Sequence, residues 1–170
     1  FFMNAAQIHL ALNHAPLFLS ALGGGILILG MLKKNESFKI LALWLLAAGA
    51  VFTIPVFFTG EGTEELVEHL PGVNENAIEK HEAMAKISLV VIAITGVVAL
   101  VGLFFRKNRS AGKIVLAVCL LLSLSSFGTM AWTAHLGGLI RHNELQNGST
   151  AGNTNEEMKE DEESARNSLK

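Results

Sequence analysis

Four stretches of this chain, roughly 15–32, 40–58, 87–105 and 114–132, contain no Asp, Glu, Lys or Arg. Each has the ~20-residue length that carries a helix across the hydrocarbon of a bilayer. None shows the polar stripe of a surface helix. Hydrophobic residues make up 51% of the 170, too large a share for an ordinary soluble domain. The fold class expected is therefore all-α: a four-helix transmembrane bundle over residues 1–145. A polar, acidic tail without aromatics follows over 146–170 and is expected to be disordered.

The loops orient the bundle. Lys33, Lys34, Lys39, Arg106, Lys107, Arg109 and Lys113 flank one face, against Glu36 alone. The opposite connection, 59–86, carries seven Glu with only Lys80 and Lys86. An excess of Lys and Arg marks the cytoplasmic side. Both termini and the long loop are then expected outside, on the periplasmic or extracellular face of a bacterial inner membrane. The first apolar stretch has no basic start and contains Asn13, His14 and Pro16, so a cleavable signal is not expected. No basic stripe with interleaved aromatics points to nucleic acid.

Along the chain, Pro16 predicts a kink or break just before it, and Gly23, Gly24 and Gly25 a smooth helix-packing surface. Pro55 falls near the outer end of the second span. Thr63–Leu70 reads as a short amphipathic helix in the outer loop, preceded by a turn over Thr59–Gly62 and followed by a Pro71-Gly72 turn. Asn74 is placed to cap the helix that becomes span three. The single cysteine, Cys119, is expected to pack as a small apolar group. No internal repeat is evident. The two halves share only the crude layout of any two helical hairpins.

All six histidines fall at or beyond the outer face. Helical spacing sets His14 above Ala21 and Gly25, His81 above Ala85, Ser88 and Thr95, and His135 above Ala131, Gly128 and Ser125. Small, weakly polar faces usually mark helix contacts in a membrane. His14, His81 and His135 are therefore expected to converge about 28–38 Å above the cytoplasmic ends. Such a set suits a transition-metal ion (iron, zinc or copper), with Glu61, Glu82 and His142 as further ligands. It also suits haem b, with Arg141 pairing with a propionate. The abundance of carboxylates tilts the residue reading toward a non-haem ion. The bland alternative is a set of interfacial histidines bonded to loop backbone, in a scaffold or assembly subunit whose polar cap docks a partner. A carrier ranks lower, because the span centres offer only Ser, Thr, Gly and Cys. No nucleophile–base pair suggests a hydrolase.

The segments HLALNHAPLF (9–18), FTGEGTEELVEHLPGV (58–73), IEKHEAMAK (78–86) and AHLGGLIRHNE (134–144) together resemble a bacterial family known as domain of unknown function 2231. The resemblance covers about residues 5–145. It implies four transmembrane helices. Because some members are fused to cytochrome-type modules, it also implies a redox or respiratory setting with an electron-transfer partner, and it assigns no ligand set. Beyond the lipid bilayer, a homo-oligomer is the other partner expected.

Overall fold

The computed structural model describes residues 4–67, 73, 75–108 and 110–140. These form α1 (Ala5–Leu12), α2 (Ala15–Leu32), α3 (Glu36–Val67), α4 (Glu75–Phe105) and α5 (Ala111–Leu139), with no strand among them. Four helical stretches are long and apolar enough to cross a membrane: Ala6–Leu32, Glu36–Glu64, Glu75–Phe105 and Ala111–Leu139. The all-α transmembrane bundle read from the sequence is the observed architecture. The tail, the Pro71-Gly72 turn and the Asn74 cap lie outside the described residues.

The helices pack in a ring: α2 on α3, α3 on α4, α4 on α5, and α5 back on α2. α2 and α4 are thus diagonal. Leu27, Ala42, Leu43, Leu46, Ala99, Leu116 and Cys119 form the central cluster. Large apolar side chains such as Leu22, Phe52, Val97 and Leu121 are exposed around the outside, where acyl chains rather than water would meet them.

The break before Pro16 is present. Asn4 and Gln7 form a capping box that starts α1, with Gln7 N–H donating to Asn4 Oδ1 at 2.9 Å. The helix stops at Leu12 because the Pro16 ring has no N–H and crowds the carbonyl four residues back. α1 packs on α3, as α2 does. Pro55, by contrast, is absorbed inside α3. The turn and separate amphipathic helix expected over 59–70 are not what the described part shows. α3 runs on through Gly60 and Gly62 to Val67, and the Thr59 and Thr63 hydroxyls donate to the Pro55 and Thr59 carbonyls, both at 2.7 Å.

Burial exposes a repeat that the letters conceal. On α2 the buried residues are Pro16, Ser20, Gly23, Gly24, Leu27 and Gly30. On α4, beyond its outer end, they are Ser88, Ile92, Thr95, Gly96, Ala99 and Gly102. The two sets match one for one at a constant offset. A second constant offset takes the buried Ala42, Leu46 and Gly49 of α3 to the buried Cys119, Ser123 and Ser126 of α5. The cytoplasmic turns agree too. Asn35 Oδ1 accepts from Phe38 N–H at 3.1 Å, and Asn108 Oδ1 from Ala111 N–H at 3.0 Å. The two hairpins share one pattern of burial on α2 and α4, and part of one on α3 and α5. The sequence reading missed this because most of the matched buried positions carry different residues in the two hairpins.

Candidate functional site

Two half-buried histidines occupy equivalent places in the two hairpins. His9, on α1, sits against α3, with its Nδ1 3.0 Å from the Val56 carbonyl oxygen. His81, on α4, sits against α5, with its Nδ1 2.9 Å from the Thr133 carbonyl oxygen. A carbonyl can only accept, so in each ring Nδ1 carries the proton and donates. That fixes the tautomer and leaves the Nε2 lone pair free. No hydrogen bond to either Nε2 occurs among the described residues.

Each accepting carbonyl is followed, four residues on, by a glycine. A Cβ at Gly60 would lie 3.2 Å from the His9 ring, and one at Gly137 would lie 3.1 Å from the His81 ring. In a helix, residue i+4 stands one turn above residue i. A side chain there would crowd the path by which the ring reaches the carbonyl, so glycine keeps it open. The offset that relates α2 to α4 carries His9 onto His81. The offset that relates α3 to α5 carries Val56 onto Thr133 and Gly60 onto Gly137. The two imidazoles are close enough for a charge on one to be felt at the other.

The expected convergence of His14, His81 and His135 is not observed. His14 is exposed at the start of α2, bonded through Nδ1 to the side chain of Asn13 and stacked on Phe18 with ring centroids 6.4 Å apart. His135 is exposed on α5, 5.3 Å from the Trp132 indole. The small-residue rule misled at both places. A Cβ added to Gly25 or Gly128 would meet nothing within 4 Å, so those faces look outward. Below His81 the rule held: Ser88 and Thr95 are buried, and Ser88 Oγ lies 2.9 Å from Thr133 Oγ1.

Glu82 is engaged with Lys86 at 2.5 Å, and Lys86 also lies in the field of Glu61 and Glu64. Glu82 therefore engages an ammonium. Among the described residues no group of three or more His, Cys, Asp or Glu could hold a metal ion. Arg141, His142 and His69 lie outside the described residues. His9 was not singled out in the sequence because helical spacing beyond the break before Pro16 does not fix where its ring points. The signal that could have found it was the shared offset of the two His and two Gly positions.

A family model described as a predicted membrane protein, DUF2231, matches residues 5–144. The chain belongs to the DUF2231 family. The match spans both hairpins of this DUF2231 protein and includes His9, Gly60, His81 and Gly137. Comparison with curated proteins and with solved structures gave no match.

Proposed function

We propose that this protein binds a redox-active group, a haem or a transition-metal ion, between His9 and His81 at the outer end of the bundle, as an accessory to respiratory or other membrane redox chemistry. The observation that carries this reading is the duplicated donor geometry: two imidazoles, each with Nδ1–H given to a backbone carbonyl and Nε2 without a hydrogen bond among the described residues. Metal-bound histidines are oriented in this way, by a hydrogen bond from the nitrogen that does not ligate.

The loop charges support a bacterial inner-membrane setting with both termini outside, which puts the pair on the periplasmic or extracellular side. The test of orientation is Ser37→Cys and Asn147→Cys, each in a Cys119→Ser background. An impermeant thiol reagent added to intact cells should label only the second.

The test of function is metal analysis and an absorption spectrum of protein purified in detergent without chelators. One equivalent of metal or haem is expected, lost in His9→Ala and in His81→Ala and retained in His14→Ala. Binding requires neutral imidazoles, so affinity should fall as the medium is acidified below about 6.5, the ordinary histidine value. Wild-type protein that takes up neither haem nor any of iron, zinc and copper would leave the scaffold reading in its place.

A further inference from the structure

Resting on that reading of the site, we infer that the bound group is haem b, with Nε2 of His9 and Nε2 of His81 as its two axial ligands. Three observations carry this. First, the described residues supply the site with two imidazoles, and among them no group of three or more His, Cys, Asp or Glu could hold an ion. Protein sites for bare zinc or non-haem iron draw on three or four side chains. Haem brings four nitrogens of its own and asks the protein for one or two.

Second, the two rings come from different hairpins: His9 lies on α1 against α3, and His81 on α4 against α5. Axial ligands must approach a haem iron from its two faces. A tetrahedral ion instead needs its ligands at a narrower angle, which neighbouring helices supply more readily.

Third, the repeat makes the two ligands equivalent. Each has the same donor nitrogen, the same carbonyl acceptor one helix on, and the same glycine four residues beyond that carbonyl. Haem is a flat group with two similar faces. A duplicated hairpin that presents one imidazole to each face matches it directly. A mononuclear ion with mixed ligands would draw nothing from the duplication. When bound, the haem would supply a one-electron couple. The chain's residues would hold it and fix both imidazole tautomers.

The test uses the full chain in detergent, with haemin added to protein made under haem limitation. Wild type should bind one haemin per chain and give a six-coordinate, low-spin spectrum in both oxidation states. His9→Gln and His81→Gln are the informative variants. A glutamine amide can still donate to the Val56 or Thr133 carbonyl, so the helix contact survives while the imidazole is lost. Each should convert the spectrum to five-coordinate, high-spin haem or lower haemin affinity at least about 10-fold, the scale of losing a metal-site group. Added imidazole should restore the low-spin spectrum in both. His14→Gln and His135→Gln should leave it unchanged.

A stoichiometric metal without porphyrin, lost in His9→Gln, would overturn the haem assignment and leave the site reading standing. Haem that stays six-coordinate in both His9→Gln and His81→Gln would overturn the ligand assignment. Failure to bind haem or any metal would overturn this inference and the site reading together.

Discussion

The first hairpin reaches its membrane span through a break: α1 stops at Leu12, and α2 begins at Ala15 with Pro16 in its first turn. The second enters through α4, unbroken from Glu75 to Phe105. Where the first has Pro16, the second has Ser88, bonded to Thr133. Where the first has Gly23 pressed against Leu46, the second has Thr95, whose Oγ1 lies 2.8 Å from Ser126 Oγ. One hairpin is closed by close approach and the other by hydroxyl pairs, yet each delivers an imidazole to a carbonyl of the next helix. The ring's position is therefore set by the carbonyl and glycine of the receiving helix. The path of the donating helix matters less.

The largest expected effect separates glycines that pack from glycines that do not. A Cβ at Gly96 would lie 2.4 Å from the Ala50 Cβ, with the backbones of both helices behind the contact. Gly96→Ala should cost about 1–3 kcal/mol, the usual range for overpacking a close contact. Its counterpart, Gly24, meets the Ser123 hydroxyl at 2.8 Å. That hydroxyl can rotate, so Gly24→Ala should cost less. Gly25→Ala should be neutral or stabilising by up to about 1 kcal/mol, from helix propensity alone. Thermal unfolding in detergent orders the three. Equal losses at Gly24 and Gly25 would break the assignment of the packed face.

A smaller effect tests the hydroxyl pairs of the second hairpin. Thr95→Val keeps the shape and removes the bond to Ser126, both residues being buried. Interhelical hydrogen bonds in membranes average about 0.6 kcal/mol and reach about 1.7. A loss in that range is expected for Thr95→Val, and none for Ser125→Ala, since Ser125 is exposed and bonds only the Leu121 carbonyl of its own helix. A comparable loss in both variants would mean that the Thr95–Ser126 contact does not hold α4 to α5.

The equivalence of the two rings can be sharpened with Gly60→Ala and Gly137→Ala. The added Cβ would sit 3.2 Å from the His9 ring in one and 3.1 Å from the His81 ring in the other. Either ring can tilt to relieve such a contact, so the cost should be about 1 kcal/mol or less. The two losses should agree, because the local geometry is the same. A loss at one glycine alone would show that the repeat preserves position without preserving the contact.

Four spans, their order and the break at Pro16 were legible because uncharged length and proline chemistry act locally. The site was half legible. His81 was identified from the small residues beneath it, because Ser88 and Thr95 do face the interior. His14 and His135 were not excluded, because a Gly or Ser on the lipid side looks the same in sequence as one at a helix contact. His9 was missed because its direction depends on how far α1 turns at Asn13 and His14, an angle that no helical periodicity carries. Gly60 was read as part of a turn after span two. Nothing in the residues TGEG reveals that α3 continues through them and uses the first glycine to admit a ring.

The smallest effect concerns the cytoplasmic turns, where the hairpins differ by one backbone conformation. Lys34 has φ 53°, the only positive value at a non-glycine among the described residues, and Asn35 N–H donates back to the Gly30 carbonyl at 2.9 Å. This left-handed closure of α2 is one that glycine adopts without strain. The conformation costs an L-residue about 1–2 kcal/mol. Glycine's greater freedom in the unfolded chain offsets about 0.5–1 of that. Lys34→Gly should therefore stabilise by about 0.5–1 kcal/mol. Lys107→Gly, at the second turn, has no such strain to relieve and should destabilise slightly through chain entropy. Opposite signs in thermal unfolding would confirm that the turns, unlike the rings, were built separately in the two hairpins. The same sign in both would mean that φ at Lys34 carries no strain that glycine can release.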